Sequence, residues 1–178
     1  MKRIAFPLLV LVAGCTTSLP VPQQAVLPPP QVVPSPVPPG PVDYILVDKS
    51  VRTLTLFSRG VPLKSYLGLQ LGGEPVGPKH FEGDERTPEG RYTIDDRNPR
   101  SAYHLSLHIS YPGAADRDYA EARGYSPGGE IFIHGQPNAL TEGREPGDWT
   151  DGCISVSNAE IEELWRLVPD GTPIEIEP

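Results

Sequence analysis

The chain has 178 residues, a formal net charge of -8 and 23 prolines. That length suits one domain with appendages. The acidic balance, without any run of Lys or Arg, excludes a nucleic-acid surface built on a basic patch, and the proline excess marks part of the chain as something other than packed domain.

Residues 1–14 read as an export signal. Lys2 and Arg3 precede an apolar run too short to span a membrane as a helix, which needs about 20 residues. The run ends in Val-Ala-Gly-Cys, residues 12–15, which resembles the bacterial lipobox. The resemblance implies cleavage before Cys15, lipid attachment there and a membrane anchor. Thr16, where Asp would mark inner-membrane retention in Gram-negative bacteria, implies the outer membrane and a periplasm-facing protein. The alternative is an ordinary secretory signal with an incidental Cys15. Residues 15–41 form the lipidated N-terminus and a linker. From residue 20 roughly half of the linker is proline, which removes donors and fixes φ. As polyproline II it reaches roughly 70 Å.

The folded domain is expected over 42–178. Alternating apolar residues predict strands at 43–47, 53–58 and 63–69, with turns at Lys49-Ser50 and Arg59-Gly60, an antiparallel meander. A Thr-Pro-Glu-Gly turn at 87–90 leads into a strand at 92–95. Residues 103–110 alternate again, with His104, Ser106, His108 and Ser110 on one face and Leu105, Leu107 and Ile109 on the other. On a strand His104 and His108 stand about 13 Å apart, too far to share an ion, and no metal-binding motif supports a metal site. Residues 111–129 read as a long irregular segment, either a lid or a plain surface insertion. A capping box at Ser157 and Glu160 starts a helix whose apolar stripe is Ile161, Leu164, Trp165 and Val168, and Pro169 stops it. A short strand at 173–177 closes the chain.

The stretch IFIHGQPNALTEGREPGDWTDGCIS, residues 131–155, carries the chemistry. Its His134 and Cys153 lie nineteen positions apart and are the minimum equipment for a thiol nucleophile with a base. Cys153 is the only thiol of the folded part. Gly152 admits close approach to the backbone, and the N–H groups of Asp151, Gly152 and Cys153 are candidate oxyanion donors. Asp148, Asp151 or a carbonyl near Gly135 are the candidates to orient His134.

These residues, together with the Thr-Pro-Glu-Gly turn, the HLSLHISYPG strand and the Asp-Gly-Thr-Pro end, resemble the YkuD-type L,D-transpeptidase catalytic domain over nearly all of 42–178. The resemblance implies a mainly β fold, a sandwich of mixed and antiparallel strands with one short C-terminal helix at about 158–168. It implies Cys153 as nucleophile, His134 as base, the Gly135 carbonyl as orienter of the imidazole, and peptidoglycan stem peptides as substrate, without metal or organic cofactor. Thr150, Asp151 and Ser155 around the cysteine, with His104 and His108, are candidate substrate contacts. Asp151 stands where His is common in that family and Ser155 where Arg is common. The acceptor of the acyl group stays open among a second stem peptide, a lysine of a wall-attached lipoprotein, and water. A hydrolase on the same residues and a non-catalytic wall-binding lipoprotein are the competing readings.

Overall fold

The structure, a computed structural model, describes residues 40–178. The signal, Cys15 and the proline-rich stretch as far as residue 39 lie outside the described residues. The folded unit is mostly β. Eight strands are β1 Tyr44–Asp48, β2 Thr53–Ser58, β3 Val61–Leu67, β4 Gly90–Asn98, β5 Ser106–Ile109, β6 Ile131–His134, β7 Ile154–Ser155 and β8 Pro173–Glu177; the two helices are α1 Ala114–Glu121 and α2 Asn158–Leu167.

The strands form one mixed sheet in the order β3-β2-β1-β8-β4-β5-β6-β7. The sandwich expected from the sequence takes the form of this single sheet curling over its own core. β4 makes the bend: Gly90 to Thr93 pair with β8, and Ile94 onward pairs with β5, with a bulge between Ile94 and Asp96. A bulge bends its strand and strengthens the local twist, so one strand serves both halves. Past β3 the chain crosses back. Gln70 exchanges two backbone hydrogen bonds with Ser155 of β7, at 3.0 and 2.8 Å, and Gly72 bridges Thr150. The two ends of the sheet order are thereby tied together beside Cys153.

Alternation fills the interior. Ile45 lies opposite Leu56 on one side and Ile174 on the other, and Leu107, Ile133 and Ile154 stand in line across β5, β6 and β7. All six of these are essentially inaccessible to solvent, and each fully buried side chain of this kind is worth about 1.5–3 kcal/mol. Arg59 and Gly60 both have positive φ, 52° and 74°, the primed-turn geometry that matches strand twist. Pro62 is tolerated because β3 is an edge strand. The capping box forms as expected: Ser157 Oγ accepts from Glu160 N–H at 3.3 Å and Ser157 N–H donates to Glu160 Oε2 at 2.7 Å. Ile161, Leu164 and Val168 are buried and Trp165 packs on the core.

Three expectations are corrected. The strand expected over 103–110 is only Ser106–Ile109, because His104 sits in the left-handed region at φ 69° and cannot continue a strand. The strand expected over 92–95 runs the full length of β4. Residues 111–129, read as irregular, contain α1, so the domain has two helices. α1 buries only Ala120 and has no apolar stripe to be read. It is fixed through its ends and an aromatic stack: Gly113 N–H donates to Asp116 Oδ2 at 2.8 Å, Tyr119 stacks on His80 at 4.2 Å, and Tyr125 meets Phe81 at 4.6 Å.

Candidate active site

β6 ends in His134, and β7 runs parallel beside it with Ile133 level with Ile154. Side chains alternate across a strand, so Ile133 and Ile154 enter the core while Phe132, His134 and Cys153 share the opposite face. Phe132 N–H donates to Cys153 Sγ at 3.4 Å, and the thiol donates to the Glu130 carbonyl at 3.5 Å. Cys153 and His134 open onto one cavity of about 450 Å³, whose other walls include Tyr103, Ser106, Glu130 and Asp151. A second cavity of about 490 Å³ shares Gly129, Glu130 and Asp151 with it and extends to Lys79, Glu82 and Glu85.

The turn that presents the cysteine is built tightly. Gly152 has φ 130°, and a Cβ there would stand 2.5 Å from the Arg86 carbonyl oxygen, so only glycine fits. Thr150 Oγ1 accepts Gly152 N–H at 3.2 Å and donates to the Cys153 carbonyl at 2.7 Å. The Gly152 N–H is therefore engaged by this hydroxyl. The Asp151 and Cys153 N–H groups have no acceptor among the described residues.

His134 is 2% exposed. Its Nδ1 lies 2.7 Å from the Gly135 carbonyl oxygen. A carbonyl only accepts, so Nδ1 carries the hydrogen and, in the neutral ring, Nε2 keeps a lone pair for a proton. Of the three candidates to orient His134, this carbonyl is the one hydrogen-bonded to the ring. Asp148 is occupied by Arg52 in a two-pronged ion pair at 2.6 and 2.7 Å and accepts from Leu71 N–H. The imidazole stacks on Tyr103 at 4.6 Å and meets Trp149 edge-on at 5.6 Å.

The sequence profile of the family described as YkuD, L,D-transpeptidase catalytic domain, matches residues 42–176. The chain belongs to this family. Among its relatives, the Escherichia coli (strain K12) protein named "Putative L,D-transpeptidase YafK" is 31% identical over 131 residues, 70% of this chain and 46% of that protein. The helical cell shape determining protein Pgp2 of Campylobacter jejuni has a similar structure, with a TM-score of 0.61 at 26% identity over 76% of this chain and 47% of that one. Bd1075 of Bdellovibrio bacteriovorus gives 0.54 at 27% identity, covering 75% of this chain and 46% of that one. The chain spans about half the length of these relatives.

Within this YkuD domain the resting pair is neutral. Burial pushes the Cys153 thiol up from its ordinary value of 9.0 to about 11; Asp151 and Glu130 add to this, while Phe132 N–H and Lys79 oppose it. Burial also lowers His134 below 6.5, against the opposing hydrogen bond to Gly135. Both shifts disfavour the charged forms. The stabilising contribution of His134 is present above about 6.5 and lost as pH falls through its depressed value. That of Cys153 is present below about 9 and lost as pH rises towards about 11. Alkylation of Cys153 by iodoacetamide, which needs thiolate, is accordingly expected to accelerate about tenfold per pH unit from pH 8 to near 11. A plateau reached below pH 9 contradicts the raised thiol.

The remaining candidates divide. Asp151 lines the cavity beside Cys153. Thr150 is buried and braces the turn, and Ser155 is fully buried in β7 behind the site; neither reaches the cavity wall. His104 pairs with Glu162 of α2 at 2.8 Å and His108 with Asp95 at 2.5 Å, both outside the cavity lining. Thr150 and Ser155 spend their hydroxyls on protein partners, while His104 and His108 each use one ring nitrogen on a carboxylate away from the cavity lining. Arg97 donates to the Trp165 carbonyl at 2.6 Å at the end of α2. Among the described residues no group of three His, Cys, Asp or Glu side chains is placed to hold a metal. Sequence reasoning missed Tyr103, Trp149 and Gln136. Trp149 sits four positions before Cys153, and its aromatic type beside the motif was the one available signal.

Proposed function

We propose that the domain is an L,D-transpeptidase, a cysteine-nucleophile acyl transferase acting on peptidoglycan stem peptides. The observation that carries this is the pairing, in one cavity, of a free thiol with a buried neutral imidazole whose Nδ1–H is fixed by a carbonyl. The second cavity, which shares the wall at Glu130 and Asp151 with the first, would be the approach of the acceptor in such a transfer.

In the first half-reaction His134 Nε2 takes the thiol proton as Sγ attacks the carbonyl carbon of the third stem residue. The Cys153 and Asp151 N–H groups are the donors left to meet the oxyanion. The C–N bond to the terminal D-Ala breaks, His134 returns the proton to the leaving amine, and a thioester remains. In the second half-reaction an amine attacks the thioester carbon, gives its proton to His134, and the thiol is regenerated. The amine belongs to a second stem peptide or to a lysine of a wall-attached lipoprotein. Lipid attachment at Cys15 and a proline-rich spacer would hold the domain on the periplasmic side of the outer membrane, within reach of the wall.

The test is incubation of wild type and Cys153→Ala with isolated muropeptides. The expected result is cross-linked or exchanged products with wild type and none with the variant. Products limited to shortened or released stems would identify a hydrolase with the same residues. Unchanged muropeptides with both proteins, alongside binding to sacculi, would defeat the enzyme reading.

A further inference from the structure

The carbonyl that holds His134 belongs to a glycine, and a peptide beside glycine rotates at little cost. One bond from the imidazole does not keep that oxygen in place. The Gly135–Gln136 peptide is fastened from both sides instead. The Gln136 N–H donates to Asn158 Oδ1, at the start of α2, at 2.8 Å. The Gly135 oxygen accepts from Ser155 Oγ at 3.3 Å as well as from His134 Nδ1 at 2.7 Å.

The direction of each bond follows from the donors available. Gln136 Oε1 accepts Glu145 N–H at 2.9 Å, which fixes the side-chain amide with Nε2 inward. Nε2 then donates to Ser155 Oγ at 2.9 Å and to the Val156 carbonyl at 2.8 Å, with Gln70 Oε1 at 3.1 Å. With its oxygen already accepting, the Ser155 hydroxyl has its one hydrogen left for the Gly135 carbonyl. Gln70 Nε2 turns to the Glu145 and Gly147 carbonyls, in the loop that leads to Cys153. Gln136 and Ser155 are 1% and 0% exposed. Buried polar groups of this kind specify one arrangement when every member is satisfied, and here that arrangement includes both the histidine loop and the cysteine loop.

We propose that Gln136 and Ser155 are positioning residues for the base: they lock the Gly135 carbonyl and so hold neutral His134 as the Nδ1–H tautomer, with Nε2 free for the Cys153 proton. The assignment gives Ser155, which stands where the family commonly has Arg, a role behind the site and not against the substrate. Its catalytic consequence rests on the acyl-transfer reading; its structural content does not.

Long-range ¹H–¹⁵N spectra of the ¹⁵N-labelled domain above pH 7.5 read the tautomer without substrate, with His134→Asn identifying the signals. Wild type is expected to show a protonated Nδ1 and an unprotonated Nε2. Ser155→Ala and Gln136→Leu are expected to show a mixture of tautomers. On muropeptides their kcat falls about ten- to a hundredfold, the usual effect of losing a partner that orients a functional group, with KM unchanged. Folded variants that both keep the wild-type tautomer overturn the proposal. If Gln136→Leu does not fold, Ser155→Ala decides alone. If wild type transfers no acyl group, the functional reading fails while the tautomer comparison still decides this one.

Discussion

Replacing His134 with alanine is expected to lower kcat/KM for acyl transfer by about a hundred- to ten-thousand-fold at pH 7, the range one positioned acid–base group supplies. The thiol is held near 11, so only about one molecule in ten thousand carries a thiolate at pH 7 without help. In the proposed mechanism His134 Nε2 removes that handicap by taking the proton during attack. The variant's rate is therefore expected to follow the thiolate alone, climbing about tenfold per pH unit towards pH 11. Wild type is expected to lose activity at low pH, where the imidazole is protonated, and to depend less on pH above that. Steady-state kinetics of both proteins from pH 6 to 10 check this. Parallel pH profiles for the two would remove His134 from the role of base.

Gly152→Ala is expected to disable the site and destabilise the domain together. A Cβ would stand 2.5 Å from the Arg86 carbonyl oxygen and 3.3 Å from Ile131 Cδ1. Neither neighbour can yield cheaply, because the Arg86 carbonyl is backbone next to the buried Thr87 and the Ile131 side chain is packed in the core. The φ of 130° adds strain of about 1–3 kcal/mol for a residue with a side chain. Relief requires the Thr150–Cys153 turn to move, and a displacement of about 1 Å is enough to cost a hundredfold in rate. Gly143→Ala is the control: Gly143 also has positive φ, 81°, but nothing lies within 4 Å of its added Cβ. Thermal unfolding and muropeptide turnover of the two variants separate backbone strain from collision. Equal stability losses with full activity in Gly152→Ala would show that the Arg86 contact is unimportant.

What could be read from the sequence followed from periodicity and local chemistry. The meander, the Arg59-Gly60 turn and the capped α2 each rest on contacts between residues near in sequence, so the pattern carried them. His134 and Cys153 were legible because their residue types are scarce and their spacing fits two strand ends. α1 was not legible because its anchors, His80 and Tyr92, are remote in sequence and its own surface buries only Ala120. His104 and His108 seemed to line a site because alternation set them on one face, but His104 leaves the strand at positive φ and both histidines meet carboxylates from other elements. The Gln136 network was invisible for a related reason. A buried glutamine looks like an exposed one until Gln70, Glu145 and Ser155 are brought around it by the closing of the sheet.

The central claim is that Cys153 carries the acyl group. Intact-mass spectrometry of wild type and Cys153→Ala after brief exposure to a stem tetrapeptide tests it most directly. The account predicts a wild-type adduct equal to the donor minus its terminal D-Ala, released by hydroxylamine, mapped to Cys153 and missing from the variant. Turnover by wild type without any such adduct under acid quench, or the same adduct on Cys153→Ala, would contradict it.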